Sequence, residues 1–351
     1  MKKFFAYLLM FFSIGTIVTV IGLSILDDFI YSLGQTSAVD IAEVNNEENA
    51  TIKSSAGIKI EDGATSLQYS YNNEYYSYLK DDKIYINTLK DTKNYATIEE
   101  EDPICYYNML YDKNLIIYFT AKKTTTTNTR LQIKTYSIDS QKTVEYNVFN
   151  VQNFSKIKDM NMSPIINIIY INIETKSSTR TNNVIYRVDL FNSMSIVKSG
   201  SIIDKMIMLQ HRDRVYYEDS NKNVYSSYGY LNIFKTDVEL IGIDLDDNLY
   251  FLSSDLKNIV YKVYNNKIVD TIKLSDSDVV KTYTNNVGTY LIYPTYVINV
   301  AAKDPYRRIG RLSKYVEFEA IKGDTMYLRT SDNMLVTTKV LVDEESDEED
   351  Q

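Results

Sequence analysis

The chain has 351 residues, 24% of them charged, a formal net charge of −9, one cysteine and one histidine. A lone cysteine excludes an intrachain disulfide and a thiolate zinc cluster, and a lone histidine excludes a multi-histidine metal site. The negative charge sits in the flanks, while the stretch from Gly63 to Val342 nets +2, so nothing in the composition favours nucleic acid or calls for a cofactor.

Met1-Lys2-Lys3 precedes 23 residues without a charge, Phe4–Leu26, closed by Asp27-Asp28. At about 1.5 Å per residue this run makes a helix of roughly 34 Å, enough to cross a hydrocarbon core of about 30 Å. The alternative is a cleaved signal peptide, whose apolar region is shorter, about 7–15 residues. Residues 1–28 are therefore expected to be a cytoplasmic stub and an uncleaved transmembrane signal anchor. The lysines before the run and the aspartates after it place the amino terminus inside and the remainder outside a cell membrane. Residues 29–56 (NNEENATIKSSAG in part) are polar and without a period, and are expected to be a tether.

From there the chain repeats. Its clearest unit is Glu239–Leu274, with strands expected at Val238–Ile243, Leu249–Ser253, Ile259–Tyr264 and Ile268–Leu274. Asp, Asn and Ser collect in the turns between them. The second strand of this unit echoes at Glu74–Tyr78, Asn114–Phe119, Ile165–Ile173, Arg214–Glu218, Thr289–Tyr293 and Thr325–Arg329. First strands expected near residues 66, 103, 155, 203, 238, 278 and 315 give repeats of 35–52 residues, the length of propeller blades. The expectation over 57–342 is an all-β, seven-bladed β-propeller of four-stranded antiparallel blades, with residues 57–60 as a ring-closing strand. Six blades is the alternative count, because Thr295–Arg311 and Tyr225–Lys235 read poorly as strands. Two polar insertions, Lys122–Thr129 and Lys176–Asn183, are expected to be hairpin loops on the same edge of neighbouring blades. Residues 343–351 form an acidic tail expected to be disordered.

The unit DLDDNLYFLSSDLKNIVYKV, with an aromatic-rich strand after an Asp/Asn turn, resembles blades of extracytoplasmic, membrane-anchored propeller proteins of low-GC Gram-positive bacteria. The resemblance implies the fold and says little about activity. The chain has no tryptophan, so neither the Trp-Asp dipeptide of WD40 repeats nor the Asp-box of sialidases is present.

No G-x-S-x-G elbow, P-loop or G-x-G-x-x-G occurs. Cys105, between Ile104 and Tyr106-Tyr107, reads as a small buried hydrophobe. Asp244-Leu245-Asp246-Asp247-Asn248 spaces its oxygens like a calcium loop but lacks the glycine and distant glutamate, and reads as a hairpin turn. Two stretches stand out as contact patches. His211, Arg212 and Arg214 fall between two strands, and Arg307, Arg308 and Arg311 form the densest basic cluster, expected on a loop. The 32 tyrosines suit half-buried strands, or a platform for sugar or peptide. The expected function is a non-catalytic protein-interaction or scaffold module at the cell envelope, with another envelope protein as partner. The alternatives are a domain that binds or senses cell-wall glycan or a small ligand, and a glycan hydrolase or lyase.

Overall fold

The computed structural model describes residues 57–340, except 190–192, 257, 286–287 and 313–315. The chain divides into two units, Met1–Thr51 and Ile52–Gln351. The expected membrane helix at Phe4–Leu26, the tether over 29–56 and the tail over 343–351 lie outside the described residues.

Seven separate four-stranded antiparallel sheets account for all the strands among the described residues. A two-residue strand, β1 (Ile58–Lys59), comes first in the chain. Blade 1 follows with β2 (Thr65–Tyr69), β3 (Tyr75–Lys80), β4 (Lys83–Thr88) and β5 (Asn94–Ile98). Blade 2 has β6 (Ile104–Met109), β7 (Leu115–Lys123), β8 (Asn128–Ser137) and β9 (Lys142–Gln152). Blade 3 has β10 (Phe154–Ser163), β11 (Ile168–Lys176), β12 (Thr181–Asp189) and β13 (Met194–Ser201). Blade 4 has β14 (Ile203–Met208), β15 (Val215–Asp219), β16 (Val224–Ser226) and β17 (Gly229–Tyr230). Blade 5 has β18 (Val238–Ile243), β19 (Leu249–Ser253), β20 (Ile259–Tyr264) and β21 (Lys267–Lys273). Blade 6 has β22 (Lys281–Thr284), β23 (Thr289–Ile292), β24 (Tyr296–Asn299) and β25 (Arg308–Arg311). Blade 7 takes β26 (Val316–Lys322), β27 (Thr325–Thr330) and β28 (Met334–Lys339) from the end of the chain. Its fourth strand is β1, paired as Ile58↔Leu335 and Lys59↔Met334. The ring is thus closed by joining the two ends of the described chain.

The seven-blade count is settled by the segments that read poorly. Tyr225–Lys235 contains only the short β17 beyond β16, and Thr295–Arg311 holds β24 and β25 separated by a long turn. Each blade is nevertheless complete, because an outermost strand needs few ladder bonds once its neighbour is in place. The two polar insertions are the tips of hairpins, at 124–127 between β7 and β8 and at 177–180 between β11 and β12, on the same edge of neighbouring blades; the outer half of each insertion continues the flanking strands. Near the first tip Lys122 and Arg130 are drawn together by Asp102, at 3.0 and 3.6 Å.

The second strand of each blade is sandwiched between neighbouring sheets. That is why β15 and β19 are buried at every position and read as continuous apolar or aromatic runs. Seven apolar clusters result, one between each pair of consecutive blades. In all blades but the sixth, the innermost strand shifts register against the second, as at Ile157/Asp159 and Leu240/Gly242. Such bulges increase strand twist, which the strands lining a narrow axis require.

Gly242 marks the tightest approach between blades. A Cβ there would collide with Thr289 Oγ1, which donates to the Ile243 carbonyl at 3.1 Å. Gly242→Ala should therefore lower stability by about 1–3 kcal/mol, the usual range for overpacking, and a urea midpoint equal to wild type would show that the interface yields freely. Deleting residues 57–60 removes the partner of β28 together with Ile60, which is 2% exposed. The expected loss is at least about 2 kcal/mol, the worth of one buried isoleucine; an unchanged melting temperature would contradict closure by β1.

Candidate functional site

In a four-stranded antiparallel blade the turns after the first and third strands lie at one end. Around the ring they form a single face, called here the turn face. His211, Arg212 and Arg214 occupy the turn between β14 and β15 on that face. The turn is held by an acid of the next blade. Asp247, 3% exposed, accepts from the Gln210 amide at 2.6 Å and the His211 amide at 3.3 Å, and from Arg212 Nε at 3.4 Å. A buried carboxylate is stable only when so satisfied. His211 itself remains exposed, its Nδ1 3.6 Å from Asp247.

The arginines are laid against tyrosines. Arg212 lies 5.2 Å from the Tyr264 ring centre and donates to Asn265. Arg214 lies 4.7 Å from the centre of the Tyr228 ring, which is 75% exposed. Leu245, in the adjoining turn of blade 5, is also exposed. Beside them Asp213 takes Arg187 at 2.9 Å and the Tyr170 hydroxyl at 2.7 Å.

The second basic stretch does not join this patch. It belongs to blade 6, with blade 5 intervening. Arg308 and Arg311 are on the outermost strand β25, not on a loop, and only Arg307 lies in the turn before it. Arg308 stacks on Tyr296 at 4.1 Å, and Tyr306 next to Arg307 is exposed.

Asp244–Asn248 is a hairpin turn in which Asp244, Asp247 and Asn248 are buried and Asp246 is exposed. Asp244 accepts from the amides of Asp246 and Asn248, from the Asn248 side chain and from the Tyr250 hydroxyl at 2.9 Å. Cys105 packs half-buried against the core between blades 2 and 3. Burial pushes its thiol up to about 12, so it carries no thiolate at neutral pH.

A feature that no local pattern of residues announces is a central channel of about 400 Å³, to which the innermost strands of all seven blades contribute. Four charged residues line it: Asp159, Lys205, Glu319 and Lys322. Lys205 pairs with Glu239 at 3.1 Å and reaches Thr282 at 3.2 Å, and Glu319 pairs with Arg329. Burial pushes the Asp159 carboxyl up to about 6, outweighing hydrogen bonds from the Met160 backbone and, at 3.0 Å, from the Asn161 side chain, and the charges of Lys158 and Lys205. Desolvation lowers the Lys322 ammonium, which has no counter-ion among the described residues. These residues come from three different blades, so no local spacing announces them.

The arrangement defines a seven-bladed all-β propeller with an arginine–tyrosine turn face and a charged axial cavity. No protein-family model and no curated protein matches the chain. Among solved structures it is similar to the crystal structure of Saccharomyces cerevisiae Sqt1, with a TM-score of 0.46 and 8% identity over 80% of this chain and 84% of that one. A likeness of that degree carries no functional argument, and the class rests on the sheet order itself.

The raised carboxyl of Asp159 sets a pH dependence. The unfolded chain ionises near the ordinary aspartate value and the folded chain only near 6, so the native state loses stability as pH rises from about 4 through 6. Asp159→Asn should stabilise the protein at pH 7 by roughly 1–2 kcal/mol, the shift being discounted for channel water, and by nothing below about pH 4. Urea titrations at both pH values check this; a pH-independent difference between the two proteins would assign the effect to packing.

Proposed function

We propose that this protein is a non-catalytic interaction module of the cell envelope: a propeller tethered to the membrane through Phe4–Leu26 that offers its turn face to another envelope protein. The observation that carries the reading is the pairing of exposed tyrosines with arginines, Tyr264 with Arg212 and Tyr228 with Arg214. Tyrosine and arginine are, with tryptophan, the residues enriched at binding hot spots, where a stacked guanidinium and ring lose little freedom on docking. Asp247 fixes the turn from beneath, so the surface is already shaped before a partner arrives.

The membrane and extracytoplasmic parts of the proposal rest on the sequence: an uncharged run of 23 residues, with Lys2 and Lys3 before it and Asp27 and Asp28 after. The resemblance of its blades to those of extracytoplasmic propellers of low-GC Gram-positive bacteria agrees with that placement.

Crosslinking of the full-length protein in cells, followed by membrane purification, should recover one stoichiometric protein partner. The double variant Tyr228→Ala, Tyr264→Ala should reduce its recovery at least about tenfold, as loss of a hot spot does, with the melting temperature unchanged. Recovery of wall glycan alone, or undiminished recovery by the variant, would overturn the assignment.

A further inference from the structure

The axial channel offers a second site, independent of the turn face. Of its four charged lining residues, two are neutralised in place and two are not. Lys205 is engaged by Glu239 and Thr282, and Glu319 by Arg329. Asp159 and Lys322, of opposite sign, make no ion pair among the described residues. They stand on β10 of blade 3 and β26 of blade 7. In a ring of seven those blades are three steps apart one way and four the other, so the two residues come from nearly opposite walls. They do not neutralise each other directly.

A charge withdrawn from bulk water without a partner is costly, and a ligand that supplies the partner recovers that cost on binding. An anion alone would meet Lys322 and leave Asp159 facing added negative charge; a cation alone would do the reverse. A ligand with both charges, separated along its length, answers both.

The channel also carries neutral polar liners suited to a short backbone between those charges. Asn108 commits one carboxamide atom, to the Met160 carbonyl of the next blade, whereas Asn161 commits both, to Met208 and Asp159, and Asn285 both, to Ile321 and Gly288. About 400 Å³ is at the lower end of small-molecule sites, which span roughly 300–1,000 Å³. The volume excludes a folded partner element such as a helix, about 10–12 Å across.

We propose that the channel binds a short zwitterion, an amino acid or small peptide with free termini, its carboxylate at Lys322 and its ammonium at Asp159. The assignment commits the two walls to opposite ends of the ligand, and so to opposite responses when either end is capped.

The test is a calorimetric titration of the full-length protein with glycine, diglycine and triglycine, a series that lengthens the distance between the two charges without adding side chains. At least one member should bind. Acetylating its amine or amidating its carboxylate should weaken binding at least about tenfold, the worth of one charge-assisted hydrogen bond. Lys322→Met should bind the amide as well as the free acid, and Asp159→Asn should bind the acetylated and free forms alike. Each variant removes a charge that makes no ion pair among the described residues, so both are expected to fold, and their thermal unfolding verifies it. Binding by none of the three peptides, or capped forms that bind wild type as tightly as free ones, would overturn the proposal.

Discussion

Consecutive blades share no backbone ladder, and the ring depends on what replaces it. The sheets splay like wedges, too far apart at their inner strands for amide-to-carbonyl pairing but within reach of a side chain. Carboxamides fill that gap. Gln68 of blade 1 donates to the Tyr107 carbonyl at 3.1 Å and accepts from the Met109 amide at 2.6 Å. Asn108, Asn161 and Asn285 repeat the device between blades 2 and 3, 3 and 4, and 6 and 7. At the closure, Asn73 of blade 1 donates to the Lys322 carbonyl of blade 7 at 3.3 Å. Each bond satisfies a backbone group that a separate sheet would leave bare at the axis.

The same constraint explains the tyrosines. The ring of Tyr327 fills the layer between blades 7 and 1, stacked on Tyr69 at 3.7 Å, and its hydroxyl reaches Asn73 of blade 1 at 3.0 Å. Tyr170 of blade 3 reaches Asp213 of blade 4, and Tyr216 of blade 4 reaches Asn266 of blade 5. Tyrosine is long enough to pack in an apolar layer and still tie its tip to the turn of the next blade. Most of this aromatic content is therefore structural, and a few exposed rings, Tyr228 and Tyr264 among them, depart from it.

The two concave and exposed features follow from one geometry. Because turns gather on a single face, Asp247 of blade 5 can fix the turn of blade 4 and hold its arginines over tyrosines. Because seven inner strands converge without pairing, they leave an axial space whose lining side chains must be neutralised individually. Lys205 and Glu319 are; Asp159 and Lys322 are not. A rigid outer ring thus supports a shaped surface and a cavity that do not need to move together.

Much of the architecture was legible in the chain. The strands of blade 5 fall where alternating turn residues and apolar runs put them, within a residue at each end, because strand and turn preferences act over a few neighbours. The same local reading drew the hairpin tips at Lys122–Thr129 and Lys176–Asn183 too wide, since their ends extend the ladders, and it failed at Arg308, which sits on a strand. In these places cross-strand pairing, not local preference, decides the conformation. His211, Arg212 and Arg214 were visible as a charged turn, but their tyrosine partners lie up to 52 residues away in Tyr264. The channel was not visible at all. By itself the sequence determined the repeat, its strands and the lone cysteine and histidine, all matters of composition and short range. Only the closed ring decided which charges meet, since Asp159 and Lys322, 163 positions apart, become neighbours of one cavity through the wedge angle of the blades between them.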